Sequence, residues 1–93
     1  MILHTLASPH LTEDCLSSAQ AGDTVLLIGD GVYGAIAASE AGKALKACEA
    51  RVLVLASDAL AAGLEQDALA FPATDMAGFV ALTEYYPRQL AWY

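Results

Sequence analysis

Two short apolar runs, separated by a segment of helix length, constrain the fold of this chain more than any other feature. The first run is DTVLLI, residues 23 to 28, and the second is RVLVLA, residues 51 to 56. Near-continuous apolar runs of this length are typical of strands buried on both faces of a parallel sheet. Parallel neighbours need a long crossover connection, and the Ala-rich segment from Val32 to about Cys48 predicts the crossover helix.

The segments on either side extend this pattern. Residues 1 to 6 predict a first strand, and Thr12 predicts the N-cap of a helix over residues 12 to 20. After the second apolar run, Ser57-Asp58 predicts a short helix that Gly63 ends. The remaining expectations are a short strand at Leu69 to Phe71, a helix capped by Thr74 or Asp75 and ended by Pro87, and a last strand or extended tail over residues 88 to 93.

Strands that alternate with helices predict an α/β fold. We expect a single domain over residues 1 to 93, built as a three-layer α/β/α sandwich around a mainly parallel sheet of four or five strands. Right-handed crossovers should connect the parallel strands. The hydrophobic pattern does not give the strand order.

The composition predicts that the chain has a partner. Hydrophobic residues make up 57% of the 93 residues and charged residues only 16%. A chain of this length removes only about 60 to 65% of its unfolded surface on folding, so part of its apolar surface should meet another subunit. The C-terminal RQLAWY either forms an edge strand or anchors a partner. The candidate interface residues are Tyr33, Tyr86, Trp92 and Tyr93.

The charge argues against direct contact with nucleic acid or with a membrane surface. Eleven carboxylates against four Lys or Arg give a formal net charge of −7, which repels phosphate backbones and anionic lipid headgroups. The sequence contains no run of about 20 apolar residues and no basic, apolar leader at its start. We therefore expect a cytoplasmic protein.

A glycine motif, Gly29-x-Gly31-x-x-Gly34, follows the first long apolar run and matches the dinucleotide-binding pattern. Asp30 would place a negative charge where the pyrophosphate sits, and a chain of 93 residues holds little more than half of a dinucleotide fold. The favoured interpretation is a tight turn with close helix–strand packing, in which Asp30 caps the following helix. No cofactor is predicted, and a small nucleotide-binding, flavodoxin-like module is the alternative.

Cys15 is the candidate nucleophile. At the start of the first helix its thiolate would be stabilised by the helix dipole, but Glu13 and Asp14 oppose this, and a buried packing role is the alternative. Cys48, beside Glu49 at a helix end, is predicted to be buried filler. His4 lies among apolar residues and is predicted to be a satisfied core or interface histidine. No metal-binding spacing is present.

Several stretches, taken together and in order, resemble one family. They are LHT and SP within residues 3 to 9, DGVYGA at 30 to 35, AAGL at 61 to 64 and FVALTEYYPRQLAWY at 79 to 93. The chain resembles the TusB/DsrH family of DsrE/DsrF/DsrH-like sulfurtransferase proteins. The resemblance implies a heterohexamer of two copies each of three related α/β chains, with TusC/DsrF-like and TusD/DsrE-like subunits as partners.

The resemblance also implies a function for that complex. A TusBCD-type complex relays persulfide sulfur from a TusA-like carrier to a TusE-like one, for 2-thiolation of the tRNA wobble uridine. A DsrEFH-type complex passes sulfur to a DsrC-like carrier in sulfur oxidation. In both, the main sulfur-carrying cysteine lies on the TusD or DsrE subunit, so this chain would be a non-catalytic or accessory subunit. DsrH-type members carry a cysteine at the position of Cys15, which makes it a candidate persulfide carrier.

Overall fold

The computed structural model describes all 93 residues, Met1 to Tyr93, and its centre is a five-stranded sheet in which every pair of neighbours is parallel. The strands are β1 (Ile2–Leu6), β2 (Thr24–Leu27), β3 (Arg51–Leu55), β4 (Ala73–Thr74) and β5 (Arg88–Trp92). The α-helices are α1 (Thr12–Ser18), α2 (Glu40–Ala47), α3 (Ala56–Ala61) and α4 (Met76–Tyr85). Three 3-10 segments are Pro9–Leu11, Gly29–Ala35 and Gln66–Ala68.

The strand order is β4-β3-β2-β1-β5. The chain builds outward from β1 through β2 and β3 to β4, and then crosses back to add β5 on the free side of β1. The C-terminal segment is therefore an edge strand, paired with β1 from Ile2 opposite Arg88 to Leu6 opposite Trp92. The predicted three-layer fold with a parallel sheet is confirmed.

One face of the sheet carries the larger core. Strand residues on this face include Leu6, Val25, Leu27, Val52 and Val54, and 11 buried residues form its cluster. Side chains from α1, α2 and α3 close it, among them Cys15, Leu45 and Ala59, each at most 1% exposed. Three helices thus cover this face.

The opposite face is covered by α4 alone. Its cluster has only four buried members: Leu3, Leu26, Leu53 and Tyr86. Phe79 and Leu82 of α4 pack against it without being fully buried, and no residue of α4 is buried. A helix that is apolar but has no buried residue covers its face of the sheet incompletely.

Three local predictions are wrong. The crossover between β2 and β3 is not one helix, because the glycine segment forms a 3-10 turn and α2 starts only at Glu40, where the Ser39 hydroxyl accepts from the Gly42 amide at 2.9 Å. Thr12 is not an N-cap, since the chain is already helical at Pro9–Leu11 and its hydroxyl donates to the Pro9 carbonyl.

The third concerns the fourth strand, which is Ala73–Thr74 and not residues 69 to 71. The amide of Ala70 donates to the Ala35 carbonyl at 2.8 Å, and the first backbone bond to β3 is made at Pro72, whose carbonyl accepts from the Val54 amide at 3.0 Å. The predicted cap of the last helix is confirmed at Asp75, whose carboxylate accepts from the Gly78 amide at 2.8 Å.

Candidate functional site

The glycine motif is a packing device. A Cβ at Gly31 would collide with the backbone carbonyl of Leu6, and one at Gly34 would lie 2.9 Å from a methyl group of Leu45. Gly29 has a φ of +50°, in the left-handed region that glycine adopts without strain. The interpretation of these glycines as a tight turn with close helix–strand packing is confirmed.

The polar groups at this turn do not suit a phosphate. The Gly29 amide already donates to the carboxylate of Asp58 at 2.7 Å, and Asp30 is exposed beside it. Two carboxylates therefore stand where an anion would bind, and they repel it. The prediction that Asp30 caps the following helix is wrong, because Ile28 occupies the cap position and no side chain caps the turn.

Cys15 lies in the core and not at a surface. Its side chain is fully buried, and burial, with a smaller contribution from nearby Cys48, raises the pKa of the thiol to about 12. The position at the start of α1 does not offset that desolvation. Cys48 is half-buried, packs against the same core cluster and donates to the Ala50 carbonyl at 3.6 Å. Both cysteines are free thiols.

A buried polar network joins β1, β5 and the residue that precedes β2. The His4 imidazole is fully buried, with Nε2 3.1 Å from a carboxylate oxygen of Asp23, and the indole Nε1 of Trp92 donates to Nδ1 at 3.1 Å. Asp23 also accepts from the backbone amides of Ile2 and Gln20. The prediction of a satisfied core histidine is confirmed.

The hydrogen bonds from these donors stabilise the ionised carboxylate of Asp23. Its burial alone would raise the pKa, but the hydrogen bonds from His4 and from the amides of Gln20 and Ile2 outweigh burial and lower it. Sequence reasoning missed this residue, because its partners are 19 positions away at His4 and 21 at Ile2.

The four aromatic interface candidates lie in different surroundings. Tyr33 is 43% exposed at the carboxyl end of β2, and Tyr93 is 81% exposed after β5. Trp92 is half-buried against the larger core. Tyr86 is only 6% exposed, and its hydroxyl bonds to the Thr24 hydroxyl at 2.7 Å and to the Gly22 carbonyl at 3.3 Å. Tyr86 thus belongs to the core of this chain.

Further exposed apolar side chains lie on α4. Met76, Val80 and Tyr85 are 55%, 49% and 68% exposed. A groove of about 530 Å³ runs between this helix and the sheet, lined by Arg51, Leu53, Thr74, Gly78, Ala81, Leu82, Tyr85 and Tyr86. We call these three side chains and the groove the α4 surface. The sequence signal that could have revealed this surface is that the apolar residues of MAGFVALTEY are spread around the helix rather than confined to one face.

A membrane-spanning helix and a metal-binding cluster of side chains would each indicate a further kind of site. No helix has the length and apolar character needed to span a bilayer. No group of three or more His, Cys, Asp or Glu side chains is arranged to hold a metal ion.

Comparison with known proteins gives consistent matches over nearly the whole chain. A family model described as DsrH like protein matches residues 7 to 89. Protein TusB of Pectobacterium parmentieri is 37% identical over 95 residues, covering 98% of this chain and 100% of the relative. Protein TusB of Escherichia coli strain K12 is 36% identical over 98 residues, with the same two coverages.

A solved structure supports the same assignment. The solution NMR structure of protein Tm0979 from Thermotoga maritima superposes with a TM-score of 0.70 at 26% identity, covering 91% of this chain and 93% of that one. The resemblance carried by the sequence motifs is thus confirmed. On the family model and the full-length relatives together, this chain belongs to the DsrH family.

Proposed function

We propose that this chain is an assembly subunit of a heterohexameric sulfur-relay complex of the TusBCD/DsrEFH type. The complex passes persulfide sulfur between carrier proteins, and the TusB relatives favour 2-thiouridine formation at the tRNA wobble position over sulfur oxidation as its pathway. One observation carries the proposal: α4, the only helix on its face of the sheet, leaves an apolar surface without a partner.

The energetics of the α4 surface favour burial by another subunit. Met76, Val80 and Tyr85 are each about half exposed or more. Fully burying a large apolar side chain contributes about 1.5 to 3 kcal/mol, so covering three that are half exposed gains several kcal/mol. On the opposite face of the sheet, three helices rather than one close the larger core. The TusC/DsrF-like and TusD/DsrE-like subunits are the proposed partners.

The state of Cys15 favours a structural role for this subunit. Sulfur transfer begins with an accessible thiolate that attacks the outer sulfur of a persulfide. Cys15 is fully buried with its pKa raised to about 12, so sulfur carriage by this residue would need α1 to open. We therefore assign the carrier cysteine to the TusD/DsrE-like subunit and a packing role to Cys15.

The charge of the chain fits a subunit that does not touch RNA. Its net charge of −7 repels RNA. The complex would exchange sulfur with TusE/DsrC-like and TusA-like protein carriers, and a later enzyme would bind the tRNA. Two free thiols in the described chain are consistent with a reducing compartment, and we place the complex in the cytoplasm.

The proposal is tested by co-expressing the chain with its TusC-like and TusD-like partners and measuring how much of it co-purifies. Val80→Asp places a charge among the exposed apolar side chains of α4 and should abolish co-purification. Leu60→Asp is the matched control, because Leu60 is 76% exposed on α3, on the other side of the sheet, and should leave assembly intact. Normal assembly of the Val80→Asp chain would contradict the proposal.

A further inference from the structure

The Asp23–His4–Trp92 network fits only one arrangement of protons. The indole N–H of Trp92 is a donor and never an acceptor, so the Nδ1 atom it contacts at 3.1 Å must carry a lone pair. The proton of a neutral imidazole then sits on Nε2 and is donated to the Asp23 carboxylate at 3.1 Å. Neutral His4 with ionised Asp23 satisfies all three side chains, and no buried side-chain polar atom is left without a partner.

The network also fastens the edge strand. Four of the five residues of β5 are exposed, and only Trp92 is partly buried, so its indole is the main side-chain anchor of the strand. The two rings lie 6.2 Å apart at an angle of 27°, close to parallel. Apart from this anchor, β5 is held by its backbone pairing with β1 and by the side-chain amide of Gln89, whose Nε2 donates to the Thr83 carbonyl at 3.0 Å.

We propose that the Asp23–His4–Trp92 network is a proton-operated lock on β5, closed while His4 is neutral and released when His4 takes up a proton. The proton enters at Nδ1, which turns the acceptor of the indole N–H into a second donor. Two N–H groups then face each other in a buried site, and the Trp92 bond is lost. The Nε2 bond to Asp23 becomes a charged pair and persists, so the effect falls on β5 and not on the contact with β2.

The other groups around His4 do not change charge between about pH 8 and pH 5. Asp23 is the charged side chain that contacts it, and its lowered pKa keeps it ionised. The residues opposite His4 on the neighbouring strands are Val25 and Leu90, which carry no charge. Cys15 faces the same side of the sheet from α1 and stays a neutral thiol, because its pKa is raised to about 12.

Release of β5 has a structural consequence at the surface. β5 shields the edge of β1, whose residues Leu3 and Leu6 are at most 1% exposed. The exposed Tyr93 follows β5 directly, so the lock also fixes the place of this aromatic side chain.

Hydrogen exchange measured by mass spectrometry on the whole chain tests the lock. Protection of the peptide 88–93, corrected for the intrinsic effect of pH on exchange, is compared between about pH 8 and pH 5, the range in which histidine commonly changes charge. We expect about a tenfold loss of protection in this peptide on acidification. Peptide 51–55 of β3 does not pair with β5 and meets the network only through the Arg51 amide, which donates to the Asp23 carbonyl at 3.0 Å, so it should keep its protection.

Two variants separate the lock from general acid sensitivity. Trp92→Phe removes the indole donor, and protection of peptide 88–93 should then be lower at every pH. His4→Gln replaces the imidazole with an amide that takes up no proton. In neither variant should protection of this peptide change with pH. The proposal is overturned if the wild-type peptide shows no pH dependence or if either folded variant keeps it. It is also overturned if peptide 51–55 loses protection together with 88–93, since that would be unfolding of the whole domain.

Discussion

Replacing Cys15 separates a packing role from a sulfur-carrying role. The side chain is fully buried within the larger core cluster, so Cys15→Ala leaves a cavity of about one sulfur atom. Removing so small a buried group costs about 1 kcal/mol of unfolding free energy. Cys15→Ser keeps the shape but buries a hydroxyl, at a cost of about 1 to 3 kcal/mol, reduced if the hydroxyl bonds back to a carbonyl of α1.

The relay assay then decides the role. At pH 7, five units below its raised pKa of about 12, roughly one Cys15 thiol in 10⁵ is ionised. We therefore expect the purified complex that contains Cys15→Ala to transfer persulfide sulfur to its TusE-like acceptor at the wild-type rate. In the chain alone, the same substitution should lower the melting temperature by about 4 to 8 °C, the shift that 1 kcal/mol produces in a domain of this size. Loss of transfer in a fully assembled Cys15→Ala complex would refute the assignment of Cys15 to the core.

Two further predictions concern the glycine turn and the buried carboxylate. Gly31→Ala should destabilise the chain by about 3 kcal/mol or more in urea denaturation, because the new methyl group meets the rigid Leu6 carbonyl. Gly34→Ala should cost only about 1 kcal/mol, because its methyl group meets a Leu45 methyl group that can move. A larger loss of stability in Gly34→Ala than in Gly31→Ala would contradict the packing account. Because Asp23 has a lowered pKa in the folded chain, its contribution to stability is complete above the ordinary carboxyl pKa of 3.8 and is lost as the pH falls through the lowered value. Unfolding free energy should therefore fall more steeply with acid in the wild type than in Asp23→Asn, and parallel curves would show that Asp23 is not the group responsible.

The two interior strands β2 and β3 could be predicted from the sequence because local pattern determines them. DTVLLI and RVLVLA are apolar on both sides of the chain, and β2 and β3 lie within these runs, in the centre of the sheet. The strand order could not be read in this way, since it depends on the return of the chain from β4 to β5 across the sheet. The crossover after β2 was misjudged because helix propensity does not register the collision that keeps Gly31 against Leu6.

The candidate site was only partly accessible to sequence reasoning. A helix was predicted from the Asp75 cap to Pro87, but its exposure depends on how few helices share that face of the sheet. Cys15 lies near the start of α1, as the sequence predicts, yet burial outweighs any stabilisation of its thiolate by the helix dipole. The His4–Trp92 hydrogen bond joins residues 88 positions apart, so no local sequence pattern predicts it.

Native mass spectrometry of the wild-type chain co-expressed with its TusC-like and TusD-like partners tests the central claim most directly. We expect one species with two copies of each chain, together with little free monomer of this one, because the α4 surface is closed only in the complex. A stable free monomer, beside partner chains that assemble without it, would contradict the account.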